Sequence, residues 1–333
     1  DQRGTGMSSP LSARNITAVG DAQVQAEYTE LFRADSIIAD AEAVREVLLA
    51  DRADKRWSTI GQSFGGFLTL SYLSFAPQSL RDCRITAGLA PIRTSVDNVY
   101  QHTFDRMKER NEEYYSWFPE DAELATRIAE HLRTHKEYLP TGERLTDHRF
   151  QMAGHFLGGR WRERGLHYFL ETAFAEGNDH LSDQFLTAMG AEVTFQANPL
   201  YALMHETIYA DGPADGVLPG IPGYELSPSP APTNWSAARV AASRPEFAPD
   251  ADRLLFTGEH IFPWYYEEDP SLRPLDEVAN LLAEKKDWGR LYDHAQLHKN
   301  EVPVVAAAYN PDVYVDFGHS METARWVGNT QVW

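Results

Sequence analysis

The sequence predicts an α/β fold in which a large, mainly helical segment interrupts a core built on a parallel sheet. Three observations lead to this prediction. Apolar runs at 57–60, 84–92 and 302–309 have the length of strands, and helical patterns separate them. From about 95 to 200 the chain is rich in aromatic residues and nearly lacks strand signals. The run at 302–309 is continuously apolar, which is typical of a strand buried on both faces.

The first hundred residues alternate between helix and strand. Residues 35–50 have apolar side chains at helical spacing. A strand up to Ser63, a helix from Phe64 to about Phe75 and a strand at 84–92 are predicted to follow. This order is typical of parallel strands joined by crossover helices.

The rest of the chain is predicted from the same patterns. Residues 211–232 are rich in glycine, proline and serine, which indicates a long loop. Residues 271–297 are helical by pattern, residues 319–327 form a further helix, and a strand begins at 331–333.

We therefore divide the chain into three parts. Residues 1–94 are the N-terminal part of the α/β core, residues 95–300 are a helical cap domain, and residues 301–333 are the C-terminal part of the core.

Composition excludes several classes of function. The net charge of −19 argues against nucleic acid and against an anionic membrane surface as partners. No apolar run approaches 18 residues, so no transmembrane helix is predicted. The one cysteine, Cys83, cannot form an internal disulfide, which favours a reducing compartment and a cytoplasmic location.

The most informative motif is the G-Q-S-F-G-G segment at 61–66, which lies between a predicted strand and a predicted helix. This is the setting of a nucleophile elbow, in which a sharp turn presents a serine hydroxyl. Side chains at Gly61 and Gly65 are expected to clash in such a turn. Ser63 is therefore the candidate nucleophile and the Phe64 N–H the candidate oxyanion donor. An ordinary strand–helix turn that contains serine is the alternative.

A candidate acid follows the last long strand. Asp312 comes after the run at 302–309, at the sheet edge where catalytic residues of parallel sheets lie. The order of Ser63 before Asp312 is that of α/β hydrolases, in which the acid orients a histidine. Asp316 is the rival candidate, and Asp312 acting only as a turn cap is the other alternative.

The histidine base is not evident. His319 is the histidine that follows Asp312, but it lies near the start of the next helix and is only a weak candidate. The usual layout places the base beyond one further strand, so we expect it beyond residue 333. The pairs His131/His135 and His294/His298 have helical spacing but no third ligand, and we expect neither a metal site nor a cofactor.

The segments DQRGTGMSSPL at 1–11 and GQSFGG at 61–66, together with the large helical insertion, resemble the prolyl aminopeptidase (proline iminopeptidase) family of α/β hydrolases. The segments at 199–209 and 256–264 are similar to the cap of its longer bacterial members. The resemblance implies a serine aminopeptidase that releases an N-terminal residue, often proline, from small peptides with a free N-terminus through an acyl-enzyme. It also implies that acidic cap residues bind the free amine, and Glu206 and Glu259 are the positions that match.

The sequence departs from the family pattern at both ends. An HGGPG-type oxyanion loop before the DQRG stretch is missing, as is the histidine after the last strand, so this exact chain is expected to lack parts needed for turnover. Two further functions stay open. One is an esterase or amidase of the same fold whose cap takes uncharged substrates, and the other is a non-catalytic binding protein.

Overall fold

A parallel four-stranded sheet lies at the centre of the computed structural model, which describes residues 1–159, 161–175, 177, 179–212 and 232–333. Most of the loop predicted at 211–232 lies outside the described residues. The strands of the described residues are β1 (Trp57–Gln62), β2 (Leu80–Thr86), β3 (Glu137–Tyr138), β4 (Arg144–Leu145), β5 (Val304–Ala307) and β6 (Thr330–Val332). The order of the main sheet is β1-β2-β5-β6 with every neighbouring pair parallel, whereas β3 and β4 form a separate antiparallel pair.

Helices form most of the remaining regular structure. In the described residues they are α1 (Ala13–Thr17), α2 (Ala22–Glu30), α3 (Ala34–Leu48), α4 (Phe64–Phe75), α5 (Val96–Trp117), α6 (Pro119–Thr134), α7 (Asp147–Gln151), α8 (Glu163–Glu171), α9 (Asp183–Glu192), α10 (Pro199–Met204), α11 (Ser236–Ala242), α12 (Tyr265–Glu268), α13 (Asp276–Glu284), α14 (His294–His298) and α15 (Phe317–Trp326). Short 3-10 turns connect several of them, including Glu206–Tyr209.

Several predicted elements match the structure closely. The helices predicted at 35–50, 64–75 and 319–327 correspond to α3, α4 and α15. The strand predicted at 84–92 is wrong in its bounds, because β2 ends at Thr86 and the chain then turns through Ala87 at a φ of 47°. The helical prediction for 271–297 holds only at α13 and α14, with a non-helical stretch between them.

The sheet is covered unequally on its two faces. Leu70 and Leu73 of α4 are fully buried in the core that includes Ile85 of β2 and Val304 of β5. On the other face, Ile60 is 77% exposed and Val305 is 50% exposed. The prediction that the run at 302–309 is buried on both faces is therefore wrong for Val305, since strand side chains alternate between the faces.

The apolar side chains form two clusters among the described residues. One joins the sheet to α3 and α4, and the other fills the helical region. The proposed division at 94/95 and 300/301 stays a prediction, and the packing crosses it. Leu11 and Ile16 belong to the helical cluster, whereas Leu291 and Leu297 belong to the sheet cluster.

The α/β-hydrolase fold with a parallel-sheet core and a mainly helical insertion is confirmed. All four strands of the core run parallel, and residues 87–303 separate β2 from β5. Among the described helices, none combines the length and the apolar character that crossing a membrane requires.

Candidate active site

Ser63 is the single residue that links β1 to α4, and it has a backbone conformation that few non-glycine residues adopt. Its φ is 52° and its ψ is −122°. The turn is held by the Ser63 N–H, which donates to the Thr86 carbonyl at 2.9 Å, and by the Gly66 N–H, which donates to the Ser63 carbonyl at 2.8 Å. Such strained residues cluster at functional sites. The side chain of Ser63 is exposed, and the next residue, Phe64, begins α4 with its N–H free of the helical ladder.

Two glycines, Gly61 and Gly66, allow close backbone contacts around this serine, whereas Gly65 does not. A Cβ atom on Gly61 would lie 2.1 Å from the Gly65 carbonyl oxygen, and one on Gly66 would lie 2.3 Å from the Gly88 carbonyl oxygen. A Cβ atom on Gly65 would meet nothing within 4 Å. The expectation of a clash is therefore right for Gly61 and wrong for Gly65.

Ser63 faces a cavity of about 160 Å³ between the sheet edge and the helical region. Phe64 and Phe67 of α4 line the cavity, and so do Tyr201 and Tyr209. A carboxylate, that of Glu259, also lines it. Arg33 also lines the cavity, but its guanidinium donates to the backbone carbonyls of Gly289 and Thr207. The aromatic walls and the Glu259 carboxylate suit a small ligand that has an apolar ring and a positive charge.

Glu259 is mostly buried at the cavity wall. Burial raises the pKa of its carboxyl group, and the hydrogen bond from the Tyr201 hydroxyl acts in the opposite direction. The segment that holds Glu259 is neither helix nor strand and lies between the 3-10 turn at Pro245–Phe247 and α12. Its position therefore comes from packing rather than from local periodicity.

Glu206 has a different environment. Its carboxylate accepts hydrogen bonds from the N–H groups of Ser236 at 3.1 Å and Ala237 at 2.9 Å, which are the first residues of α11. The side chain is buried, and burial raises the pKa of its carboxyl group to about 7. It does not line the Ser63 cavity, and the structure places Glu206 as a cap of α11.

Asp312 lies at the same edge of the sheet as Ser63. It follows β5, and its Oδ1 accepts from the N–H groups of Tyr314 at 2.8 Å and Val315 at 3.0 Å. Tyr314 and Val315 themselves line the Ser63 cavity. Burial raises the pKa of the Asp312 carboxyl group. The negative charge of Asp312 also raises the pKa values of Tyr209 and Glu259.

Asp316 and His319 lie apart from the cavity. Asp316 caps α15, accepting from the His319 N–H at 3.0 Å. The Nε2 atom of the His319 imidazole is 2.9 Å from Oδ1 of Asn98, and its ring contacts that of His102. Neither Asp316 nor His319 lines the cavity with Ser63.

The helical-spaced histidine pairs have protein partners. His131 bonds Glu137 at 2.6 Å, and the His135 ring stacks on that of His131. His294 bonds Asp211 at 3.0 Å, and His298 is 3.2 Å from the Trp326 carbonyl oxygen.

Several residues of the cavity belong to no motif that is evident in the sequence. His205 lines it, and its imidazole is hydrogen-bonded to the backbone of Glu259. Burial lowers the pKa of this imidazole to about 4, which favours the neutral ring. Tyr201 and Tyr209 lie on either side of Glu206 in the sequence. Aromatic residues on both sides of an acidic residue are the signal that could have identified them.

Comparison with known proteins gives two similar relatives over the whole chain. A proline iminopeptidase of Aeromonas sobria is 42% identical over 334 aligned residues, covering 100% of this chain and 73% of the relative. A proline iminopeptidase of Aspergillus aculeatus is 36% identical, covering 99% of this chain and 71% of the relative.

Among solved structures, an acetylester hydrolase from Corynebacterium glutamicum has 12% identity and a TM-score of 0.29, over 90% of this chain and 58% of that structure. No protein-family model matches the chain. Both relatives align over at least 99% of this chain and over more than two thirds of their own length, at 36% identity or more. This chain is therefore a member of the proline iminopeptidase family, whose enzymes are serine hydrolases of the α/β-hydrolase type.

Proposed function

We propose that the protein is a serine aminopeptidase that releases N-terminal proline, or another small residue, from short peptides through an acyl-enzyme. One observation carries the proposal. The hydroxyl of a serine in a strained turn and the carboxylate of Glu259 line the same aromatic cavity of about 160 Å³. The names of the two relatives support the same activity.

The proposed nucleophile is Ser63. Its Oγ gives its proton to the base and attacks the carbonyl carbon of the N-terminal residue. The peptide bond then breaks, and the amine of the shortened peptide leaves with the proton that the base had taken. The N–H of Phe64, the first residue of α4, donates to the oxyanion that develops. Water then attacks the acyl-enzyme and releases the free amino acid.

The proposed acid of the triad is Asp312. Both hydrogen bonds that it receives from described residues fall on Oδ1, so Oδ2 is left to accept from an imidazole. The strand β6 pairs in parallel with β5, so its C-terminal end lies at the edge where Asp312 and Ser63 lie. We propose that the base is a histidine that follows β6 in the intact protein, because the ring of His319 is instead held by Asn98.

The proposed amine site is centred on Glu259. A substrate ammonium or pyrrolidinium group that enters the cavity leaves water, and a buried carboxylate compensates for that loss. The Tyr201 and Tyr209 rings offer apolar and cation–π contacts to the same group. Glu206 does not line the cavity and its oxygens already cap α11, so in this proposal it makes no contact with the amine.

A substrate panel tests the proposal on the intact protein. The 2-naphthylamides of proline, alanine and acetyl-proline differ in the residue released and in whether the amine is free. We expect hydrolysis of the first two and none of the third. If acetyl-proline-2-naphthylamide is cleaved as fast as the proline compound, the site is that of a general amidase or esterase. If a fluorophosphonate probe leaves Ser63 unlabelled, the protein is a non-catalytic member of its fold.

A further inference from the structure

A second group of chemically reactive side chains lies where the first long helix of the insertion meets the last helix of the chain. His102 lies on α5, Asp316 caps α15, and His319 lies in the first turn of α15. Oδ1 of Asp316 is 3.7 Å from Nδ1 of His102 and 3.7 Å from Nδ1 of His319. One ligand atom from each of the three residues lies within 4.8 Å of the other two.

The hydrogen bonds of His319 determine which ring nitrogen faces this group. Its Nε2 is 2.9 Å from the amide oxygen of Asn98, which also accepts from Thr94 at 2.8 Å. An amide oxygen can only accept, so Nε2 has the proton and Nδ1 of the neutral ring has a lone pair. Burial and the neighbouring His102 lower the pKa of the His319 imidazole, which favours the neutral ring.

The lone pair of His319 has no partner. Its Nδ1 atom is buried and makes no hydrogen bond to any described residue, while the side chain is 10% exposed. It points to a carboxylate oxygen, which also has no proton to donate. Two electron pairs that face each other in a buried setting are unfavourable unless a positive group lies between them.

We propose that His102, Asp316 and His319 bind a divalent transition-metal ion, with Zn²⁺ as the best-fitting one. Two imidazole nitrogens and one carboxylate oxygen are a ligand set that Zn²⁺ accepts, and the outer hydrogen bond of His319 to Asn98 is the kind that orients metal ligands. Tetrahedral Zn²⁺ places its ligand atoms about 3.3 Å apart. To reach that geometry the two carboxylate–imidazole separations of 3.7 Å must shorten slightly, and the imidazole–imidazole separation lies within 4.8 Å.

Access and competing charges are consistent with this site. The His102 side chain is 41% exposed, so the ion can enter from solvent and keep a water ligand. Arg106 lies 3.6 Å from the other oxygen of Asp316 and also pairs with Glu109 at 2.6 Å. Oδ1 of Asp316 also accepts the N–H of His319, and it retains a lone pair for a metal ion. The arginine lowers the affinity of the site without covering Oδ1.

A metal ion at this position would join two helices that are distant in sequence. The helix α5 begins the helical insertion, whereas α15 packs against the last two strands of the sheet through residues such as Ala324. The site therefore links the insertion to the sheet core. It does not include Ser63 or Glu259, so the inference does not depend on the proposed activity.

Zinc titration of the intact, chelator-treated protein tests the site. The probe is Zn²⁺ alone, its affinity is measured by competition with a chromogenic chelator, and thermal melting is followed in parallel. We expect one bound ion and a rise in Tm of about 2–4 °C at saturation. The variant His102→Gln removes one ligand at a half-exposed position, and we expect it to weaken Zn²⁺ binding at least about tenfold and to abolish the rise in Tm.

The matched control is His135→Gln, which removes an exposed histidine outside the group. It is expected to bind Zn²⁺ and to melt like the unchanged protein. Equal Zn²⁺ affinity in His102→Gln and in the unchanged protein would overturn the proposal. A second pair of results would also overturn it: the metal-free His102→Gln variant has a lower Tm than the unchanged protein, and Zn²⁺ does not raise the Tm of the unchanged protein. The group would then be an ion pair between protonated His102 and Asp316.

Discussion

The elbow at Ser63 and the two buried glutamates of the insertion obtain their geometry in different ways. Around Ser63 the closest contact joins two residues near in sequence, Gly61 and Gly65. Glu206 and Glu259 come from a 3-10 turn and an irregular segment, and distant packing orients them. The two glutamates therefore have different environments, since Glu259 lines the cavity and Glu206 caps α11. The strand–turn–helix motif around Ser63 therefore owes much of its geometry to nearby residues. The environment of each glutamate in the insertion depends instead on which distant segments pack against it.

The largest effect is expected at the elbow itself. Ser63→Ala removes the proposed nucleophile without changing the backbone that presents it. We expect kcat/KM for prolyl-2-naphthylamide to fall by about 10⁴-fold or more, with Tm unchanged. Stopped assays on the purified, folded variant measure its residual rate of hydrolysis. Retention of a tenth of the activity or more would show that another residue attacks the substrate.

The second prediction separates the two glycines that the sequence treated alike. The methyl group of Gly61→Ala would lie 2.1 Å from the Gly65 carbonyl oxygen, so the turn must open to make room for it. We expect the free energy of unfolding to fall by roughly 3 kcal/mol, as for other overpacked sites. Denaturant unfolding monitored by tryptophan fluorescence measures it.

Gly65→Ala is the matched control for this comparison. Its added methyl group meets nothing within 4 Å and lies in the first turn of α4. We expect the free energy of unfolding to stay the same or to rise by about 0.5 kcal/mol, since alanine favours the helix. A larger loss in Gly65→Ala than in Gly61→Ala would show that the elbow is built differently.

The sequence was sufficient for the fold and for the position of Ser63, since strand, turn and helix follow one another within 57–75. The sequence was less informative about where β2 ends. The chain leaves the strand where Gly88 packs closely against Gly66, and this contact between separate segments cannot be read from a local pattern. The burial of Val305 could not be predicted either, because periodicity does not tell which sheet face is covered. His102 and His319 are 217 positions apart, so only the folded chain brings them together.

The third prediction concerns the pH dependence of stability that Glu206 confers. Its pKa rises from an ordinary 4.5 to about 7 in the folded protein because the carboxyl group is buried. Between these values the folded state holds a proton that the unfolded state has lost, so stability decreases as pH rises. Relative to Glu206→Gln, the unchanged protein should lose about 3 kcal/mol of unfolding free energy from pH 4.5 to pH 7.

Denaturant unfolding at several pH values measures this difference. The control is Glu123→Gln, at an exposed position on α6, which should leave the pH dependence of the unchanged protein as it is. If Glu206→Gln follows the same pH profile as Glu123→Gln, the Glu206 carboxylate is ionised in the folded protein throughout this range.

The smallest expected effect tests the contrast between the two glutamates most directly. Glu259→Gln keeps the shape of the cavity wall but removes its negative charge, so a substrate ammonium loses its counter-charge. We expect KM for prolyl-2-naphthylamide to rise about tenfold while KM for 2-naphthyl acetate, which has no amine, stays the same. Glu206→Gln should alter both substrates alike, because it weakens the cap of α11 rather than a contact to the amine. If the amine-selective rise appears in Glu206→Gln and not in Glu259→Gln, then the residue that lines the cavity is the structural one, and the amine must bind nearer to α11.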